Sequence, residues 1–247
     1  MVFDTVTIIA ILVAFALGGI LKGATGAGAP VVTIPVIAAF YDVRIAVIIM
    51  VVPNLLTNIG QLYQFRKTIL PSFFIVSFAL GGGIGALIGT ILLANLSIKI
   101  LTLSVAFIVI IYILLKLIVP SWKLKYEKAA KLVFIMGTAG GVLQGAAGLS
   151  APISITFLNA MKLERNQFIP TISVYFGVMS IFQMPTLYYY DFLNFEIIAA
   201  SLISTVVLLS FMPLGSWVAK SVSKENFDKI TLILLAFIAL RIIYLNL

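Results

Sequence analysis

The sequence contains no cysteine and no histidine, and it has few charged residues. Without cysteine the chain has no disulfide, no thiolate metal ligand and no thiol nucleophile. Without histidine it lacks the commonest general base and metal ligand near neutral pH. Only 10% of the 247 residues are charged and 62% are apolar, whereas average soluble domains have about a quarter charged and about half apolar residues. This composition excludes a soluble globular domain and indicates a polytopic membrane protein, for which we expect no metal and no cofactor.

Long uncharged segments predict an all-α fold. A transmembrane helix needs about 20 mainly apolar residues, and backbone groups in hydrocarbon must form their hydrogen bonds within the segment. The segments lack the strict alternation that strands show, and they are too long for strands. The uncharged segments are 5–21, 23–41, 45–65, 68–98, 100–115, 132–161, 166–190, 197–219 and 230–240.

The acidic residues all lie in loops or at predicted membrane interfaces. They are Asp4, Asp42, Glu127, Glu164, Asp191, Glu196, Glu225 and Asp228. No carboxylate is therefore predicted inside the membrane to relay protons or to neutralise a bound cation, which disfavours cation transport. The net charge of +8 comes mostly from cytoplasmic loops that face anionic lipid. We expect the lipid bilayer, and not nucleic acid, to be the partner of these cations.

The two halves of the chain are copies of each other. Residues 18–30, GGILKGATGAGAP, match residues 140–152, GGVLQGAAGLSAP, at eight of thirteen positions with an offset of 122. Gln61 and Gln183 have the same offset, and Lys99 with Ala106-Phe107-Ile108 matches Lys229 with Ala236-Phe237-Ile238 at an offset of 130. The sequence therefore predicts an internal duplication.

The positions of Lys and Arg indicate that the copies are inverted. Cytoplasmic loops are enriched in these residues, and the central loop at 119–131 contains four lysines. With this loop inside, twelve of the sixteen cations lie on the cytoplasmic side, and matching segments end on opposite faces. We therefore predict a first repeat at 1–118, a cytoplasmic linker at 119–131 and a second repeat at 132–247. They form one multi-pass domain in the cytoplasmic membrane, with both termini outside.

The glycine-rich segment 132–161 must enter and leave the membrane on the cytoplasmic face. Its thirty residues are fewer than the about 40 that two crossings need. We therefore expect a re-entrant hairpin or two short tilted helices. Segments 5–22 and 28–40 are expected to form the same pair from the outer face. Each half is thus a broken, glycine-rich helix pair followed by three transmembrane helices, with the two turns meeting near the bilayer midplane.

These turns are the predicted substrate site. Secondary transporters commonly bind substrates at the midplane, between repeats, on discontinuous helices, and the start of the second helix of each pair would offer free amides to an anion. Lys22 lies at the first turn, and a cation at membrane depth usually faces a cavity or a partner. The predicted substrate-binding residues are Lys22, Gly23, Thr25, Gly26, Gly28, Asn54, Asn58, Gln61, Gln144, Gly145, Gly148, Ser150 and Gln183.

Each of these features also has a purely structural interpretation. Glycines four residues apart, such as Gly19 and Gly23, allow close helix packing. Lys22 would extend to the interface if the hairpin were shallow. Asn54, Asn58 and similar polar residues would form hydrogen bonds between helices.

The two glycine segments resemble the TauE/SafE family of membrane permeases. They are GGILKGATGAGAP and GGVLQGAAGLSAP, each near the start of one half. The resemblance implies a secondary transporter for a sulfur-containing anion such as sulfite, sulfoacetate or thiosulfate. Independently of the family, Lys22, the glycine turns and the absence of membrane acids predict a small anionic substrate.

Two alternatives to a secondary transporter follow from the same sequence. One is an anion channel, and the other is a membrane-embedded enzyme or assembly protein without transport. An enzyme is disfavoured because such enzymes usually have histidine, cysteine or paired carboxylates within the membrane, and none is present. Both a monomer and a dimer are compatible with the sequence.

Overall fold

The structure of the protein, a computed structural model, describes residues 5–66, 69–118, 122–221 and 224–246. Every regular element in these ranges is a helix, which confirms the all-α prediction. The helices are α1 Thr5–Thr25, α2 Ala29–Phe40, α3 Val43–Phe65, α4 Ser72–Asn95, α5 Ile98–Ile118, α6 Tyr126–Ala147, α7 Ser154–Ala160, α8 Arg165–Tyr189, α9 Phe195–Ser221 and α10 Lys224–Asn246.

Seven of these helices are long and apolar enough to cross a membrane. They are α1, α3, α4, α5, α6, α8 and α9, and shorter apolar helices lie at Ala29–Ala39 and Thr231–Leu245. Many large apolar side chains on these helices are exposed, for example Phe73 at 66% and Phe237 at 69%. Such a surface is stable when lipid covers it, because contiguous exposed apolar patches are rare on soluble monomers. The chain is a multi-pass membrane protein.

Glycine breaks divide the first helix pair of each half, as predicted. Gly26 and Gly28 separate α1 from α2, and Gly148 ends α6; all three have positive φ angles of 84°, 92° and 70°. Side chains with a Cβ atom rarely adopt this conformation, so glycine is required there. The first helix of each pair is long, with 21 residues in α1 and 22 in α6, whereas α2 has 12 residues and α7 has 7.

Helix α6 begins within the segment 119–131, which the sequence predicts as the cytoplasmic linker. Helix α6 begins at Tyr126, and residues 119–121 lie outside the described residues. The charged residues Glu127, Lys128 and Lys131 therefore belong to the first turns of α6. Charged side chains can occupy the end of a membrane helix because they reach the interface there.

The two halves pack across each other through their glycines. A Cβ atom on Gly23 of α1 would overlap the carbonyl oxygen of Met212 in α9, and one on Gly145 of α6 would overlap that of Ala86 in α4. Helix α4 also approaches α6 through Gly85, where a Cβ would overlap the carbonyl oxygen of Thr138. Removing side chains at such contacts lets two helix backbones approach closely. Helix α4 of the first half thus packs on α6, and α9 of the second half packs on α1.

Helices α3 and α8 form the antiparallel pair at the centre of this arrangement. Asn54 of α3 is bonded to Ser180 of α8, and Gln61, two turns later, contacts Ser173, two turns earlier. Equivalent helices of the two halves therefore face each other across the middle of the bundle. The orientation of the halves relative to a membrane stays a prediction.

Candidate functional site

Lys22 lies at the end of α1 and is buried, with 1% of its surface exposed. Its Nζ atom donates a hydrogen bond to Oδ1 of Asn58 in α3 at 2.9 Å. This burial disfavours the interpretation in which Lys22 extends to the membrane interface. Among the described residues the acceptor is a neutral amide, and an ammonium group has three N–H donors. The lysine therefore has N–H donors to offer to a ligand.

Asn58 connects this lysine to a polar network that spans both halves. Its Nδ2 atom donates to the carbonyl oxygen of Asn54 at 2.6 Å and to Asn54 Oδ1 at 2.9 Å. Asn54 Nδ2 in turn donates to Ser180 Oγ at 3.2 Å. All four side chains of the network are buried, with at most 1% exposed. The predicted shared face of Asn54, Asn58 and Gln61 is thus buried against α1 and α8.

Two buried glutamines of the second half have unpartnered polar atoms. Gln144, the counterpart of Lys22, is 4% exposed and Gln183 is 1% exposed. Within the described part of the chain, Gln144 Oε1 and both amide atoms of Gln183 have no hydrogen-bond partner. An unsatisfied buried donor or acceptor costs about 1–3 kcal/mol. The counterpart of Gln183, Gln61, accepts a long hydrogen bond of 3.5 Å from Ser173 Oγ. Such groups mark positions where water or a ligand would be bound.

Each glycine break packs against the opposite half. A Cβ atom on Gly26 would lie 2.5 Å from Cγ1 of Ile169 in α8, and one on Gly148 would lie 2.9 Å from Ile34 of α2 and 3.2 Å from Val47 of α3. Val47 and Ile169 are themselves separated by the repeat offset of 122 residues. The two breaks therefore occupy equivalent environments, and their meeting at the bilayer midplane stays a prediction.

The second break differs from the expectation that each short helix begins directly after its glycines with free amides. Helix α7 begins at Ser154, and the amides of Ile153 and Ser154 donate to the carbonyl oxygen of Ser150 at 3.0 and 2.8 Å. A separate turn at 151–153 lies between Ser150 and this helix, whereas α2 begins at Ala29 although the amide of Val31 likewise donates to the carbonyl oxygen of Gly28, at 2.9 Å. The Ser150 and Ser154 hydroxyls lie 2.9 Å apart. Ser154 was not predicted, although its spacing of four residues from Ser150 could have indicated it.

The first break borders a cavity of about 400 Å³, which the sequence did not predict. Thr25 and Gly28 line it together with Lys116 of α5 and Arg165 of α8. Arg165 Nη2 donates to the carbonyl oxygen of Gly23 at 3.2 Å. The sequence assigns Lys116 and Arg165 only to the twelve cations on the cytoplasmic side. No local pattern connects them to the first break, since they come from distant parts of the chain.

The other predicted residues divide between the two interpretations. Gly23 and Gly145 lie at close helix contacts, which supports the packing role. Thr25 is exposed, and its Oγ1 donates to the carbonyl oxygen of Leu21 at 2.8 Å. Neither glycine offers a side chain to a ligand, so the polar chemistry of the site comes from the network around Lys22 and the unpartnered glutamines.

Broken helices around a buried polar centre define a class of protein. Secondary transporters commonly have discontinuous helices that meet at a repeat interface, and this multi-pass bundle has the same features. A family model described as Sulfite exporter TauE/SafE matches residues 10–242. The chain therefore belongs to the TauE/SafE family of sulfite exporter-type membrane transporters, which confirms the resemblance found in the glycine segments. No curated protein and no solved structure matches the chain.

Proposed function

We propose that the protein is a secondary transporter that moves a small sulfur-containing anion, of the sulfite, sulfoacetate or thiosulfate class, across the cytoplasmic membrane. The observation that carries the proposal is the buried Lys22, whose described acceptor is the neutral Asn58. The family supports the sulfur chemistry. The lysine supports an anion independently of the family.

An anion would supply what the environment of Lys22 lacks. Moving an ammonium group out of water is costly unless a countercharge and hydrogen bonds replace its hydration. Asn58 accepts one hydrogen bond, and its own amide is held by two bonds to Asn54. The amide therefore orients Lys22 without neutralising it. An oxyanion would complete the remaining donors and balance the charge.

The arrangement of the halves supports transport by alternating access. The polar network joins α1 and α3 of the first half to Ser180 in α8 of the second half. Each glycine break also contacts the opposite half. Rocking of one half against the other would move these contacts together and expose the site to each side in turn.

The test is the substitution Lys22→Gln, which gives the first half the residue that the second half has at position 144. The purified variant is reconstituted in proteoliposomes, and uptake of labelled sulfite and sulfoacetate is measured with counterflow. Loss of a charge-assisted hydrogen bond should cost about 1.5–3 kcal/mol, which is a roughly ten- to hundredfold loss of affinity. Counterflow distinguishes a carrier from a channel.

The matched control is Lys99→Gln, which removes the same charge from an exposed position at the start of α5. It should leave the affinity and the rate unchanged. A folded Lys22→Gln protein with the affinity of the parent would contradict the proposed role of Lys22.

A further inference from the structure

The cavity beside the first glycine break is separate from the network around Lys22. Leu21, Ala24 and Thr25 of α1 line it, whereas the side chain of Lys22 is bonded to Asn58 in α3. We propose that this cavity is a second anion subsite, in which Arg165 and Lys116 bind the substrate before it reaches Lys22. The inference rests on the proposed function, since it assigns the cavity to the path of the same anion.

The charges of the cavity favour an anion. Among the described residues that line it, Lys116 and Arg165 carry charge, and they come from opposite halves of the chain. Glu164 is adjacent to Arg165 in sequence but is exposed and does not line the cavity. Cations that line a concave site raise the local concentration of anions. The described part of the lining therefore offers positive charge to a ligand inside the cavity.

Arg165 has the geometry to bind an oxyanion directly. A guanidinium has five N–H donors in a planar fork that matches two oxygens of a carboxylate or a similar oxyanion. One of its bonds, to the carbonyl oxygen of Gly23, is 3.2 Å long, and Ser216 Oγ also donates to this oxygen, at 3.1 Å. An anion could take over donors of Arg165 while Ser216 keeps the carbonyl oxygen satisfied.

The size and the remaining walls indicate the chemical class of the ligand. A volume of about 400 Å³ lies in the range of small-molecule sites, roughly 300–1,000 Å³. Beside the cations the lining has apolar side chains, among them Val31, Ile155 and Phe168. This combination suits an oxyanion head on a short apolar chain, such as an alkanesulfonate.

The position of the subsite couples it to the buried lysine. Leu21, Ala24 and Thr25, which line the cavity, belong to the same helical turns as Lys22, and Arg165 is hydrogen-bonded to these turns through the carbonyl oxygen of Gly23. An anion that engages Arg165 weakens this bond and frees the end of α1, next to the glycine break. The subsite would therefore bind the anion and loosen the barrier in front of Lys22.

Thiol labelling tests the subsite without measuring transport. The parent chain has no cysteine, so Asn159→Cys places one thiol in the cavity, at an exposed position. The probes are 2-sulfonatoethyl methanethiosulfonate, an alkanesulfonate, and its trimethylammonium analogue. The reference is Tyr189→Cys, which lies outside the cavity at a position where the parent tyrosine is 80% exposed. The ratio of the anionic to the cationic labelling rate should be about tenfold higher at position 159 than at position 189.

Charge variants in the Asn159→Cys background show which residues cause this preference. Arg165→Gln should remove most of it, and Lys116→Gln should reduce it and serves as the second variant if the first does not fold. The matched control is Arg66→Gln. Arg66 is the residue that follows the last turn of α3, and its guanidinium lies over the Tyr63 ring, 4.2 Å from the ring centroid. It does not line the cavity. It should leave the preference intact.

The outcomes separate this inference from the proposed function. If the anionic preference at position 159 equals that at position 189, or persists in both cavity variants, the subsite is refuted. Transport that depends on Lys22 would still support the proposed function. If the preference depends on Arg165 but no sulfur-containing anion is transported, the cavity binds anions and the proposed function fails.

Discussion

Replacing Gln183 with methionine should stabilise the protein while impairing transport. Gln183 is 1% exposed, and neither atom of its amide has a hydrogen-bond partner among the residues that the structure describes. A residue retained for the fold alone would not keep both polar atoms unsatisfied, because each costs free energy. Methionine is also unbranched and flexible, so Gln183→Met removes the amide while filling much of the same space.

The magnitude follows from the two unpartnered atoms. One unsatisfied buried group costs about 1–3 kcal/mol, and the relief in Gln183→Met should lie in this range, because water occupying the site would offset part of it. For a chain of this size, about 1 kcal/mol corresponds to a rise of roughly 2–4 °C in the unfolding midpoint. Transport should fall because a substrate that bonds the amide loses its partner. One neutral hydrogen bond is worth about 0.5–1.5 kcal/mol, a roughly two- to tenfold loss of affinity.

The assay combines the thermal unfolding midpoint in detergent with uptake in proteoliposomes. The matched control is Gln61→Met at the equivalent position of the first half. Gln61 accepts a hydrogen bond from Ser173. Because Gln61→Met removes this acceptor, the variant should show a smaller rise in the unfolding midpoint than Gln183→Met. A Gln183→Met protein with a lower midpoint and unchanged uptake would refute the reasoning, since the amide would then be structural.

Two further predictions concern topology and helix packing. A cysteine in place of Tyr189 should react with an impermeant thiol reagent from outside, and one in place of Lys123 only from inside; labelling of both from one face would contradict the inverted repeat. Gly145→Ala should lower the unfolding midpoint because its Cβ would overlap the carbonyl oxygen of Ala86, whereas Gly177→Ala, with no atom within 4 Å of the new Cβ, should raise stability by about 1 kcal/mol through helix propensity. Equal midpoints for the two alanine variants would mean that α4 and α6 do not pack as described.

The helices and the breaks between them follow from local features of the sequence. Charged residues mark where helices begin: Asp42 directly precedes α3, and Arg165 is the first residue of α8. The long uncharged run that follows such a residue must be helical in a membrane. The breaks follow from backbone chemistry, because positive φ at Gly26 and Gly148 requires glycine. The burial of Lys22 was also predictable, as a single cation within an uncharged region usually faces a partner or a cavity.

The features missed from the sequence depend on packing between distant segments. The cavity with Lys116 and Arg165 forms only when α5 and α8 meet the first break. The late start of α7 depends on the turn at 151–153, although the second copy shares its Ala-Pro dipeptide with the first. Identical residues therefore did not guarantee identical backbones: the amides of Val31 and Ile153 both donate to the carbonyl oxygen three residues earlier, yet α2 begins at Ala29 and α7 only at Ser154.

The two glycine segments carry different side-chain chemistry, and this difference bears on the proposed mechanism. The positions equivalent to Lys22 and Asn58 are occupied by Gln144 and Ser180, so the cation lies in the first half alone. The unpartnered amide atoms lie at Gln144 and Gln183 of the second half. A substrate shared between the halves would thus meet charge from one side and neutral hydrogen-bonding groups from the other. The alternating access that we propose requires binding that is sufficient for recognition and weak enough for release, and a single ammonium opposed by neutral amides would meet both requirements better than two cations.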